Sequence, residues 1–114
     1  MNLIEHFING KITKGSSNKT SKVFNPATGE QTAEVKLASK TEVNLAVEKA
    51  KLAFASWSIK PPAQRARILF KFKELVEKNS DEIIKLIVSE HGKVWDDAKG
   101  SLTRGLEVVE FACG

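Results

Sequence analysis

Near the end of the chain, Gly100-Ser101-Leu102-Thr103-Arg104-Gly105-Leu106-Glu107-Val108-Val109-Glu110-Phe111 sets one strong cation among apolar residues at helical spacing. On a helix, Arg104 projects with Val108 and Phe111, roughly opposite a stripe of Ala98, Leu102, Leu106, Val109 and Ala112. If both faces are covered, a guanidinium is buried with the second, and a buried arginine needs a carboxylate or phosphate partner. Gly105 costs roughly 1 kcal/mol in a helix interior, which points to a close approach to the backbone there. Three outcomes stand open for Arg104: it holds an anion, it pairs with Glu107 or Glu110, or it is solvated.

The other reactive residue types carry less. Gly100 to Gly105 has the glycine-to-glycine frame of a phosphate loop, but Leu106-Glu107 stands where Lys and Ser or Thr are required. No G-x-G-x-x-G follows a predicted strand, so no cofactor-binding residue is assigned. Cys113 falls on the main apolar stripe of its helix, where a thiol behaves as a small hydrophobe. His91 precedes Gly92 at a helix end and complements the dipole there. Glu107 and Glu110 share a face, as solvated carboxylates commonly do. One cysteine and two histidines cannot make a structural zinc site, so neither a catalytic nor a metal residue is assigned.

These residues are expected on an α/β chain. Residues 1–38 read as strands and a hairpin, and 39–114 as three to four helices. His6-Phe7-Ile8 and Lys11-Ile12-Thr13 flank Asn9-Gly10, the strongest short-range hairpin signal. Lys14 to Ser21 reads as a loop, Lys22 to Phe24 as a short strand, and Asn25-Pro26-Ala27-Thr28-Gly29 as a turn. Gln31 to Leu37 alternates, with Ala33, Val35 and Leu37 on one side. Ser39-Lys40-Thr41-Glu42 has the form of a capping box, followed by Val43, Ala46, Val47, Ala50, Phe54 and Trp57 at helical spacing.

Pro61-Pro62 precedes a second helix starting near Ala63, with an apolar stripe of Ile68, Leu69, Phe72, Leu75 and Val76 beside polar Arg65, Lys71, Lys73 and Glu77. Asn79-Ser80 breaks or recaps it, and Ile83, Ile84, Ile87 and Val88 run to Gly92, a C-terminal cap. The last helix opens near Asp96-Asp97, whose carboxylates suit a helix N-terminus.

Composition limits the alternatives. In 114 residues, 41% hydrophobic and 28% charged is a globular balance. The net charge of +4 is spread among alternating lysines and acids, which argues against a nucleic-acid partner. No apolar run reaches the 18 or so residues of a membrane span, and MNLIEHFING lacks the apolar core of a signal peptide, so a soluble, cytoplasmic protein is expected. The two apolar faces of the last helix imply neighbours this chain does not supply, the mark of an N-terminal piece of something longer.

Several motifs together resemble the aldehyde dehydrogenase superfamily: Phe7-Ile8-Asn9-Gly10-Lys11, Asn25-Pro26-Ala27-Thr28-Gly29-Glu30, and a Thr41-x-Val43-x-x-Ala46-Val47 helix ending in Ala53-Phe54-x-x-Trp57. Arg65 to Phe72, Glu90-His91-Gly92-Lys93 and above all Arg104 to Gly114 are similar to its CoA-acylating methylmalonate-semialdehyde dehydrogenase branch. The resemblance implies the N-terminal portion of a cofactor-binding domain, without the catalytic domain. It also implies a full-length oxidoreductase that uses NAD and CoA and assembles as a homo-oligomer, tetramer or dimer. In that branch a cysteine thiolate attacks the aldehyde, hydride passes to NAD, and CoA releases the thioester with loss of carbon dioxide. The nucleophile and glycine-rich cofactor segment belong to later parts of the family's sequence, so this chain alone is expected to be inactive and to bind neither cofactor. One role carries over by resemblance: Arg104 aligns with the arginine that binds the carboxylate of the semialdehyde.

Two alternatives remain at this level. One is a hydrolytic aldehyde dehydrogenase whose substrate has no carboxylate, and the other a freestanding, non-catalytic binding module. The arginine suits methylmalonate and malonate semialdehyde equally, so valine and inositol breakdown are both compatible with it.

Overall fold

The computed structural model describes residues 2–114, and the chain divides into two compact units, Met1–Ile59 and Lys60–Gly114. In the first unit, β1 (Asn2–Ile4), β2 (His6–Ile8), β3 (Lys11–Thr13), β4 (Thr20–Phe24) and β5 (Gln31–Lys36) precede α1 (Lys40–Trp57). One sheet has the order β1-β5-β4, with β1 parallel and β4 antiparallel to β5, while β2 and β3 form a separate hairpin. The hairpin turns where expected because Asn9 and Gly10 both take left-handed backbone, at φ 56° and 75°, as a two-residue primed turn requires. At the next turn the Asn25 side chain accepts from the Ala27 amide at 2.9 Å, and its carbonyl accepts from Gly29 at 2.8 Å.

The strand readings need three corrections. β4 begins at Thr20, not Lys22, because pairing of Thr20 with Lys36 and Ser21 with Val35 draws two former loop residues into the ladder. β1 has no local sequence signal at three residues and exists through its pairing with β5. Ala33 and Val35 lie on the inward side of β5, at 6% exposure for Ala33, but Leu37 lies past the end of the strand and is exposed.

The N-terminus of α1 is fastened twice. Ser39 Oγ accepts from the Glu42 amide at 3.2 Å, and Glu42 Oε2 accepts from the Ser39 amide at 2.7 Å, a complete capping box. The other carboxylate oxygen accepts from the Ser16 amide at 2.5 Å, tying the loop after β3 to the helix. These amides hold the Glu42 carboxyl down from about 4.5 to about 2, Ser39 first and Ser16 second. Gly15 (φ 70°) sits between them, since a Cβ there would stand 2.8 Å from Glu42 Oε1 and 3.0 Å from His6 Nε2. The apolar stripe of α1 gives the helix but not its cover: Val43, Val47 and Phe54 are exposed, and only Ala46 and Trp57 of the stripe are half-buried.

The second unit contains α2 (Pro62–Lys78), α3 (Ser80–His91) and α4 (Trp95–Ala112), a count of four helices in all among the described residues. Pro62 opens α2, where its missing N–H costs nothing. Asn79 leaves helical geometry and its side-chain amide donates to the Leu75 carbonyl at 2.7 Å, which separates α2 from α3. Gly92 ends α3 in left-handed backbone, its amide bonded to Val88. Ala98 of α4 and Ile84 of α3 are the most buried positions, at 0% and 3% exposure, with Cys113 at 8%. The thiol is therefore a core group, as its place on the stripe predicts.

The stripe of α2 is only partly used. Leu69 and Val76 are half-buried, whereas Ile68, Phe72 and Leu75 are exposed and Arg65 and Lys73 are drawn in. Lys73 survives this by donating to Glu77 at 2.7 Å, and that bond is the first cause of its raised pKa. The face of α2 that meets its neighbours is rotated from the one hydropathy marks, so the richer apolar stripe is left facing outward.

Candidate functional site

Arg104 lies two turns from the end of α4, and its side chain runs back along the helix. Nη2 donates to Ser101 Oγ at 3.3 Å, and Nη1 lies 3.4 Å from where a Cβ on Gly100 would stand. The guanidinium thus passes over Gly100 at about van der Waals distance. Lys93, between the cap of α3 and the start of α4, donates its ammonium to the same Ser101 Oγ at 2.9 Å. Two cations converge on one neutral hydroxyl.

Among the described residues no carboxylate comes within ion-pairing distance of either. The pairing of Arg104 with Glu107 or Glu110, one of the three outcomes left open above, is not made. The side chain is exposed, as are Val108 (69%) and Phe111 (88%) on the same face. The approach expected at Gly105 is likewise not made within this chain, since a Cβ there would meet nothing within 4 Å. Ala112, placed on the inward stripe by its spacing, is exposed because α4 ends there, while Leu102, Leu106 and Val109 are half-buried. Among the described residues, the second face of α4 is thus apolar, exposed, and carries a guanidinium with no ion-pair partner.

A planar fork and a point charge, joined through a hydroxyl and without a carboxylate in ion-pairing distance among the described residues, are groups of the type that can bind a carboxylate or similar anion. Cys113 is buried in the core, and His91 sits exposed in the last turn of α3. Lys93, Ser101 and Gly100 stand in motifs quoted from the sequence but were given no binding role there. Their signal is tertiary, because Lys93 lies outside the helix and meets Ser101 eight residues on.

A hollow of about 300 Å³ in the same unit, between Glu77, Ile84, Trp95, Lys99 and Leu106, does not include Arg104. No helix among the described residues is long and apolar enough to cross a membrane.

The chain as a whole is similar to known proteins. The chain is 44% identical over 113 residues to a malonate-semialdehyde dehydrogenase of Pseudomonas aeruginosa, covering 99% of this chain and 22% of that protein. It superposes on the crystal structure of methylmalonate-semialdehyde dehydrogenase from Oceanimonas doudoroffii with a TM-score of 0.95 at 48% identity, over 100% of this chain and 23% of that one. A Sinorhizobium meliloti protein assigned as a methylmalonate-semialdehyde dehydrogenase, solved with NAD, gives a TM-score of 0.96 at 46% identity with the same coverage. The chain therefore spans less than a quarter of the length of the relatives it matches. Residues 12–114 match the family described as the aldehyde dehydrogenase family, and the chain belongs to that family.

Proposed function

We propose that this chain is the N-terminal portion of an NAD-dependent, CoA-acylating semialdehyde dehydrogenase, and that its own contribution is to hold the substrate's carboxylate through Arg104. The observation that carries the reading is a guanidinium with no acid partner among the described residues, on the helix whose closing motif resembles the semialdehyde branch. A fork of fixed geometry orients a carboxylate by two parallel bonds, and so fixes where the aldehyde carbon at its other end can lie. Orientation of that kind raises the rate without any reacting group on this chain.

In the full-length enzyme NAD would supply the hydride acceptor and CoA the acyl acceptor. Malonate semialdehyde would give acetyl-CoA, and methylmalonate semialdehyde propionyl-CoA, each with loss of carbon dioxide. Hydride and acyl transfer belong to residues outside this chain, which alone is inactive. A homo-oligomer in the cytoplasm completes the proposal, and the exposed apolar residues of α1, α2 and α4 are compatible with cover by further protein. The test is an assay of the full-length protein with malonate semialdehyde, NAD and CoA. NADH should form together with acetyl-CoA in equal amounts and only slowly without CoA. Equally fast NADH formation without CoA, with a free acid as product, would contradict the acylating assignment.

A further inference from the structure

Ser101 Oγ receives both Nζ of Lys93 and Nη2 of Arg104, so these two cations are at most about 6 Å apart. Like charges at that distance repel, and an uncharged hydroxyl does little to offset them. Lys93 is half-buried, which limits the water available to screen it. The acids nearest in sequence, Glu90 near the end of α3 and Asp96 and Asp97 at the start of α4, make no ion pair with it among the described residues. An anion seated between the two cations would relieve the repulsion, and the Ser101 hydroxyl, already accepting twice, has its own proton free to donate.

We infer that Lys93 is a second carboxylate-binding residue, which with Ser101 and Arg104 forms a three-point site for the anionic end of the substrate. The inference rests on the reading of Arg104 as a carboxylate holder and extends it to residues given no binding role from the sequence. In this site the roles differ. Arg104 supplies the fork, Lys93 supplies charge without direction, and Ser101 is a positioning residue that keeps the fork folded back toward Lys93 over Gly100. A second cation would deepen selectivity for anionic aldehydes over neutral ones, because its interaction vanishes when the carboxylate is absent.

The test uses the full-length enzyme with Lys93→Met, Lys93→Arg and Ser101→Ala, malonate semialdehyde and propionaldehyde as substrates, and malonate as a non-reacting probe. Lys93→Met should raise KM for malonate semialdehyde about tenfold with kcat little altered, lowering the kcat/KM ratio of semialdehyde to propionaldehyde by the same factor. Lys93→Arg should restore most of that ratio, and Ser101→Ala should lower it about threefold. Malonate binding, measured by calorimetry, should weaken about tenfold in Lys93→Met.

If both aldehydes lose activity equally and malonate binding is unchanged, Lys93 supports the fold only and the inference is overturned, while the function stands. If no variant turns over a semialdehyde yet malonate still binds and weakens with Lys93→Met, the functional reading falls and the anion site survives. Should Ser101→Ala fail to fold, the Lys93 pair decides the matter alone.

Discussion

Ser39 and Glu42 close a reciprocal pair at the start of α1, each side chain accepting the backbone amide of the other at 3.2 Å and 2.7 Å. Removing one half exposes its worth. Ser39→Ala should lower the stability of the unit that holds α1 by about 1 kcal/mol, a typical loss for an N-cap. Thr41→Ala, one residue inside the helix with no capping bond, should change it by less than about 0.5 kcal/mol. Thermal melts of the two variants beside the parent check the difference.

Acid should unfasten the same corner. The Glu42 carboxyl has its folded pKa depressed to about 2 from about 4.5. Its contribution is therefore complete above pH 4.5 and is lost as the pH falls toward 2. Glu42→Gln keeps an acceptor at this position but cannot titrate, so its melting temperature should lie below the parent's at pH 6 and approach it by pH 3. A gap that stays constant across that range would show that the carboxylate charge is not what matters.

Three glycines with different surroundings should respond differently to alanine. Gly15→Ala forces a side chain into left-handed backbone and into contact with Glu42 and His6, and should destabilise by about 2 kcal/mol. Gly10→Ala meets the backbone penalty with nothing in the way, at about 1 kcal/mol. Gly105→Ala has ordinary helical backbone and open space, and in the 114-residue chain should stabilise α4 by about 0.5–1 kcal/mol. Denaturant midpoints at constant slope give the order.

The core of the helical unit is small, so one deletion should be costly. Ile84→Ala, at 3% exposure, should remove about 2–4 kcal/mol, whereas Leu86→Ala, at 57%, should remove less than about 1 kcal/mol. Urea unfolding followed by helical circular dichroism compares them.

What was legible in the sequence was local. Asn9-Gly10, Ser39 with Glu42, and Gly92 each act through bonds to residues a few positions away, so residue type and spacing suffice to place them. β1 was not legible, since three residues carry no periodicity and its partner lies about thirty positions on. Burial was misjudged where it depends on a neighbour: Phe54 and Phe72 stand on the stripes that helical spacing marks as inward, yet face outward in this chain. Arg104 was marked by its company on the helix, but Lys93 joins it only because the turn after Gly92 folds back beside α4.

The central claim is that Arg104 grips the carboxylate of the substrate, and the direct measurement is kcat/KM of the full-length enzyme for methylmalonate semialdehyde and propionaldehyde, with Arg104→Leu and Arg104→Lys. Losing a charge-assisted, two-bond contact should lower the semialdehyde-to-propionaldehyde ratio by roughly 30-fold to 1000-fold in Arg104→Leu. Arg104→Lys should recover it only in part, because a point charge lacks the fork. A ratio unchanged in Arg104→Leu, with both aldehydes losing activity in equal proportion, would contradict the account and leave the arginine a structural residue.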